Sequence, residues 1–323
     1  MRLGYPGQNL STEYRINRQV LLGEKFPEKI VIEAQKLAAE NLHDLLEILK
    51  WNEENGLKFF RISSDICPQI SNWRLINNKM DYKELAYSLD PFKDQLAKIG
   101  SYARKHNHRL TFHPGFFTIL NTNKHFVLIS VIRELYWHTV FLDLCGLDRL
   151  SSLTLHIGGI IDYKENAIQR FIDHFNDLPT SIKTRIIIEN DENTFNVEDL
   201  LYISNHIKPY QFENKTIKTI PICLDYFHYL CYNINRQKKP EKYSKQLPLK
   251  TLIPRVLETW KGLRPKFHIS EQAPDHILGT HSNYVMKIPK ILLNLNIDLM
   301  IEAKCKEKAT LYLINKYFPT KKN

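Results

Sequence analysis

Six stretches decide the fold: Leu110–His113 (LTFH), Leu153–His156 (LTLH), Ile186–Glu189 (IIIE), Ile222–Asp225 (ICLD), Lys266–His268 (KFH) and Leu299–Glu302 (LMIE). Each is a short apolar run closing on a residue that can bind a metal ion. The closing residues are 43, 33, 36, 43 and 34 positions apart. A strand, a helix and two loops take roughly 30 to 40 residues, so the spacing is that of a repeated β-α unit. Parallel strands point the same way, which puts the residue at the C-terminal end of each on one rim of the sheet. Three histidines, two glutamates and one aspartate therefore converge. The pattern predicts a metal-rich active site assembled from six strands. One such histidine is commonly a hydrogen-bonded barrel-end residue; six donors in register are better explained by metal.

Two further strands precede these, RLGY at 2–5 and LKFFRISS at 57–64. Both are nearly continuous in apolar character, as strands buried on two faces should be. Helical periodicity fills the intervals. It is clearest over 28–55, where Ile30, Ala34, Leu37, Ala38, Leu42, Leu45, Leu46 and Leu49 recur at three- and four-residue spacing and Gly56 sits beyond the end. Other helices are expected near 90–107, 124–145, 164–177, 197–207, 249–261, 284–295 and 306–317. Eight strands alternating with helices predict an α/β fold, a (β/α)8 TIM barrel with the metal cluster on its C-terminal rim, spanning 1–323 as a single domain. An open doubly wound sheet would gather its ligands at one switch point and fits less well. A long loop is expected at about 226–250, and a short basic tail at 318–323.

The chain carries 45 Lys and Arg against 35 Asp and Glu, a net charge of +10. That favours a polyanionic partner, nucleic acid first. The stretch 236–250, RQKKPEKYSKQLPLK, holds six of the basic residues against one Glu and follows the Asp225 strand on the active-site side. Lys238 and Lys239 are candidate DNA contacts. The five cysteines (Cys67, Cys145, Cys223, Cys231, Cys305) are scattered without a CxxC pair and read as free thiols. No apolar run approaches the roughly 18 residues of a membrane span, and the first residues lack an apolar signal core, so an intracellular protein with no membrane contact is expected.

Two more histidines fit the rim: His228 in LDYFHY and His281 in GTHSNY. His43, His106, His108, His125, His138, His174 and His206 fall in or beside helices and read as packing or surface residues. Glycines directly follow two of the donors, in HPG at 113–115 and HIGG at 156–159. They allow a sharp turn or a close ligand approach.

Taken together, RLGYPGQNLS with Asn17 and Arg18, AAENLHDLLEILKWNEENG, FFRISSDICP, LTFHPG, LTLHIGG, IIIENDE, LDYFHY, PKFHIS, GTHSNYV and MIEAKCKE resemble the ultraviolet-damage endonucleases over nearly the whole chain. That family comprises metal-dependent repair nucleases on a xylose isomerase-like barrel. The resemblance implies a cluster of two or three divalent ions, commonly manganese, with zinc or magnesium as alternatives. Its ligands would be His113, His156, Glu189, Asp225, His228, His268, His281 and Glu302, with Glu189 bridging two ions. Glu189, Lys266 and Glu302 are the expected catalytic residues. Lys266 matches a lysine at the family's metal site, where its charge would sit beside the scissile phosphate. Tyr5 and Asn9 match polar residues near the DNA. The implied reaction is a nick 5′ to a lesion in double-stranded DNA, leaving a 3′-hydroxyl, by a monomer with no obligate protein partner.

The chain departs from the family pattern twice. Asn72 stands where members often have a histidine, and Phe116-Phe117 stand where members often carry Gln-Tyr, the pair that probes the damaged duplex. Two aromatics can wedge between bases but cannot hydrogen-bond base edges. The alternative function is a sugar isomerase or epimerase on the same barrel, against which the basic stretch and eight ligand candidates stand. A non-catalytic DNA-binding barrel is a further alternative.

Overall fold

All eight expected strands lie in one sheet whose order is that of a ring. The computed structural model describes residues 1–21, 23 and 26–319, so the end of the basic tail, 320–323, lies outside the described residues. The strands are β1 (Arg2–Gly7), β2 (Phe59–Ile62), β3 (Arg109–Phe112), β4 (Leu153–His156), β5 (Ile186–Glu189), β8 (Ile222–Cys223), β9 (Lys266–Ile269) and β10 (Asp298–Ile301). Two more, β6 (Tyr210–Phe212) and β7 (Lys215–Ile217), form a separate antiparallel hairpin. The barrel order is β8-β5-β4-β3-β2-β1-β10-β9, with every pairing parallel. A parallel bridge between Asp225 and His268 closes the ring, supported by His268 N–H donating to Leu224 O at 3.0 Å. Two expected metal ligands thus sit at the seam of the barrel.

The helices are α1 (Pro27–Glu54), α2 (Lys93–Lys105), α3 (His125–Leu144), α4 (Lys164–Asp177), α5 (Thr180–Lys183), α6 (Val197–Asn205), α7 (Tyr226–Lys238), α8 (Leu249–Thr259), α9 (Lys290–Leu293) and α10 (Lys306–Tyr317). In α1 the buried face is Ile30, Ala34, Ala38, Leu42, Leu45, Ile48 and Leu49, at the spacing read from the sequence. Each fully buried Leu or Ile stabilises by about 1.5–3 kcal/mol. Gly56 follows at φ +70°, a left-handed conformation that turns the chain into β2.

Three elements differ from expectation. The stretch 226–250 is not all loop: α7 takes up its first half, because the Asp225 carboxylate accepts the His228 N–H at 2.8 Å and caps a helix directly at the strand end. Irregular chain remains only over 239–248. The helix expected at 284–295 shrinks to α9, since Pro289 lacks an N–H and biases the preceding residue to extended backbone. The β6–β7 hairpin was not anticipated; its turn residues Glu213 (φ +44°) and Asn214 (φ +59°) are both left-handed, as a two-residue hairpin turn requires.

Reading back two residues from each rim donor gives the layer beneath it, because side chains alternate along a strand. That layer is Thr111, Thr154, Ile187, Cys223, Lys266 and Met300, all buried. At the opposite end of the barrel the buried Asp298 carboxylate binds Arg2 at 2.6 Å, Arg264 at 2.7 Å and Arg109 at 3.0 Å. This closes the floor with one buried carboxylate shared by three guanidiniums. No helix among the described residues is long and apolar enough to cross a membrane.

Candidate metal centre

Glu189 is the hub of the rim. It ends β5, is buried, and its two carboxylate oxygens face different partners. Oε2 lies 2.9 Å from His113 Nε2 and 3.9 Å from His156 Nε2. Oε1 lies 2.8 Å from His268 Nδ1 and 3.8 Å from His228 Nδ1. Glu302, just past β10, lies 3.2 Å from His268 Nδ1 through Oε1 and 3.9 Å from His281 Nδ1 through Oε2. Donor atoms fall into three groups, each within 4.8 Å: His113, His156 and Glu189; Glu189, Asp225 and His228; Asp225, His268 and Glu302. Adjacent groups share Glu189 or Asp225. Seven of the eight expected ligands belong to a group, and His281 borders the third.

The structure tests whether divalent ions fit. His156 Nδ1, His268 Nε2 and Asp225 Oδ2 are buried without a hydrogen-bond partner. A buried polar atom left bare costs about 1–3 kcal/mol, and of the three Asp225 Oδ2 lies within the cluster, 3.7 Å from His228 Nδ1, where a cation would satisfy it. The charges point the same way. Burial pushes the Asp225 carboxyl upward, and the carboxylates of Glu189 and Glu302 push it further, against the pull of His228. Burial holds His113 low, at about 4. Burial also lowers His268 and His281, whereas at His228 burial is outweighed by the carboxylates of Asp225 and Glu189, which raise the imidazole. Crowded carboxylates and imidazoles form a donor set suited to Zn2+ or Mn2+.

Backbone contacts fix the imidazoles. His228 Nδ1 donates to Asn190 O at 2.9 Å, which leaves Nε2 as the free donor atom. Asn190 also exchanges two bonds with the Asp225 backbone, at 2.9 and 3.0 Å, and so locks the β5 loop to the β8 end. The IENDE motif resolves into separate roles. Glu189 faces the cluster and Asn190 braces Asp225. Asp191 accepts the N–H groups of Asn193 and Phe195 at 2.8 and 3.0 Å, building the turn, and Glu192 lies 3.7 Å from His228 Nε2.

Other expected site residues lie elsewhere. Lys266 is fully buried one layer below the rim, its Nζ donating to Thr154 Oγ1 at 2.5 Å, and burial lowers its pKa to about 8. Strand alternation places it beneath the donor cluster. Tyr5 and Asn9 are also buried. Tyr5 OH donates to Asn52 Oδ1 at 2.6 Å and accepts from Asn9 Nδ2 at 2.9 Å. Their polar groups are committed between β1 and α1 rather than offered to DNA. Asn72 is turned to its own loop, accepting from Arg74 N at 3.0 Å and donating to Gln69 Oε1 at 2.7 Å. Arg18 pairs with Asp44 at 2.7 Å, and Glu307 accepts Leu10 N at 2.9 Å and Ser11 Oγ at 2.8 Å; these motif residues anchor the loop after β1.

Phe116 and Phe117 are 75% and 74% exposed, with ring centroids 3.8 Å apart, on the loop leaving His113. Lys238 and Lys239, at the end of α7, are exposed. Sequence reasoning missed Arg61, whose guanidinium is ion-paired to Glu302 Oε1. The available signal was an arginine at an inward position of the apolar strand FFRI.

A closed parallel barrel with imidazoles and carboxylates at the C-terminal ends of its strands defines a class: TIM barrels whose active site can hold several metal ions. The comparisons narrow it. Residues 23–322 match the family described as UV-endonuclease UvdE. The chain is 35% identical over 294 residues to a putative UV-damage endonuclease of Acanthamoeba polyphaga mimivirus, covering 88% of this chain and 80% of that protein. It is 33% identical to the UV DNA damage endonuclease of Clostridium perfringens, covering 98% of this chain and 70% of the other. The crystal structure of SacUVDE superposes with a TM-score of 0.78 at 28% identity, covering 98% of this chain and 97% of that one. The chain belongs to the UV-endonuclease family. It is accordingly a DNA repair endonuclease, hydrolysing phosphodiester bonds in UV-damaged DNA, and the sugar-isomerase reading is the less supported one.

Proposed function

We propose that this chain nicks double-stranded DNA on the 5′ side of UV photoproducts, leaving a 3′-hydroxyl, with two or three divalent ions at the rim, manganese first. The observation that carries this reading is the set of three donor groups linked through Glu189 and Asp225. Ions held there supply water activation, neutralisation of phosphate oxygens and stabilisation of the leaving oxygen. A water oxygen adds to phosphorus, the bond to O3′ breaks, and the proton goes to O3′. The lesion side keeps a 5′-phosphate.

The chain's own residues orient this step. Glu189 belongs to two donor groups and would be the carboxylate that two ions share. Glu302 and His281 bound the third side, and Lys266 offsets the carboxylates from below. Phe116 and Phe117 enter the duplex at the lesion, where damaged bases cost least to unstack. The exposed lysines after α7 hold the backbone without reading sequence. The chain acts as one barrel domain and as a monomer.

An end-labelled duplex with a single photoproduct tests the reading. Metal-stripped protein should be silent, manganese should restore one nick 5′ to the lesion, and a polymerase should extend the product. A nick on the 3′ side, or a nick unaffected by chelator, would overturn it.

A further inference from the structure

Ile277 is 85% exposed, the most exposed large apolar side chain among the described residues. It sits at the tip of the loop 271–282, between the ligands His268 and His281. Nothing in the metal chemistry uses it. A solvent-facing isoleucine on a floppy loop would call for no explanation, but this loop is rigidly braced.

The side chain of Gln272 fills the inside of the loop. Its Nε2 donates to Ala273 O at 3.0 Å, to Ile277 O at 3.0 Å and to His276 O at 3.3 Å, while its Oε1 accepts Gly279 N–H at 2.9 Å. Backbone rungs close the base: Ala273 N to Thr280 O at 2.8 Å and Ser282 N to Glu271 O at 2.8 Å. Asp275 at φ +57° and Gly279 at φ +96° make the two sharp bends. A left-handed non-glycine residue is strain that persists only where the surroundings hold it. The loop thus spends a half-buried amide and a strained residue on presenting one apolar side chain to solvent.

Its position around the barrel gives that presentation a purpose. In the ring β8-β5-β4-β3-β2-β1-β10-β9, β3 and β9 stand four places apart among eight. The loop after β3 carries Phe116 and Phe117; the loop after β9 carries Ile277. The two exposed apolar tips therefore belong to loops that leave opposite sides of the ring, on the rim that carries the donor cluster.

We propose that Ile277 is a second wedge, inserted into the damaged duplex from the side opposite the phenylalanine pair. The inference rests on the DNA-nicking reading above. A UV photoproduct joins two adjacent bases, so extruding it opens a gap two bases wide. One aromatic pair fills the gap from one groove or strand; an opposing aliphatic tip holds the other side open and keeps the unpaired bases from restacking. Apolar wedges of this kind are a recurrent way for proteins to hold a kinked step.

The test uses Ile277→Ser, with Ile277→Leu as the conservative control and 2-aminopurine placed beside the photoproduct. Two substrates are compared: the lesion in a fully paired duplex, and the same lesion in an unpaired bubble. Ile277→Ser should lower kcat/KM on the paired duplex by about tenfold and on the bubble by less than about twofold, because the bubble is already open. Its 2-aminopurine signal on binding should fall, Ile277→Leu should restore both, and bound metal and Tm should stay unchanged. Equal losses on both substrates, or none on either, would overturn the wedge. The fluorescence is read on binding alone, so it tests Ile277 even if the wild type nicks neither substrate, an outcome that would sink the nicking reading instead.

Discussion

The guanidinium of Arg61, on β2, reaches over the end of β1 to hold Oε1 of Glu302, just past β10. Burial would raise the Glu302 carboxyl, but Arg61 and then His268 hold it below the usual carboxylate range. One oxygen is thereby fixed, and the other is left toward His281. Residues that orient a ligand in this way are typically worth 10–100-fold in metal affinity. Arg61→Gln should weaken metal binding by about tenfold in calorimetry, and nicking should recover when metal is raised. Tighter binding in the variant would show instead that Arg61 acts only by repelling the cation.

Glu189 is the residue whose change should cost most. Its two oxygens serve different donor groups, and Glu189→Gln replaces a shared charge with a dipole. Nicking should be abolished, bound metal per chain should fall, and circular dichroism should be preserved because the barrel seam lies at Asp225 and His268. Full activity in the Gln variant would refute the bridging role.

His138 should make stability depend on pH. It is fully buried in α3, stacked on Trp137 at 3.6 Å, with Nδ1 donating to Glu134 O at 2.8 Å. Burial depresses its pKa from 6.5 to about 3. The folded state keeps it neutral while the unfolded chain takes up a proton. Its contribution is therefore fully present above about pH 6.5 and is lost as pH falls toward 3, at up to about 1.4 kcal/mol per pH unit. Urea unfolding of the wild type and His138→Gln at pH 7.5 and 5.5 checks this. The stability gap between them should narrow at the lower pH; a constant gap would mean that His138 does not titrate on unfolding.

The basic stretch after α7 should govern salt dependence. Lys238, Lys239, Lys242 and Lys245 are all exposed. Replacing the four by Gln should weaken DNA binding and flatten the log–log salt slope by about 0.9 per lost phosphate contact. Turnover at saturating DNA should change little. Lys238 ends a helix, where a cation complements the macrodipole, so a loss of about 0.3–1 kcal/mol of stability is also expected. An unchanged slope would leave the stretch a solvated excursion.

The barrel and its rim were legible because two periodicities coincide in the sequence. A potential donor ends each of six apolar runs, and the runs recur at the length of a β-α unit. What stayed hidden depends on contacts between distant positions. Arg61 becomes part of the site only because β2 and β10 flank β1 in the ring. Lys266 carried the right residue type two positions before a ligand, but strand alternation puts it a full layer below the rim. Tyr5 and Asn9 lie in a family motif, yet Asn52 on α1 takes up the Tyr5 hydroxyl. The loop expected after Asp225 proved helical because the ligand carboxylate doubles as an N-cap, a role that one residue can fill without any change in sequence signal.

Phe116 and Phe117 stand where the resemblance leads one to expect Gln-Tyr, and their placement allows a direct test. They follow His113 through Pro114 and Gly115, and both rings are largely in solvent, packed on each other. Large apolar side chains exposed together beside an active site mark a contact surface. Base–aromatic stacking is worth about 1–3 kcal/mol per base, enough to offset much of the cost of unstacking a damaged step. The double variant Phe116→Ala with Phe117→Ala should lose preference for damaged over intact duplex by about ten- to a hundredfold, with metal content unchanged. Tm should also stay close to that of the wild type, since rings this exposed contribute little to the core. A large fall in Tm with discrimination intact would show that the rings pack the neighbouring loop. Lesion recognition would then have to come from the opposite side of the mouth, where Ile277 stands.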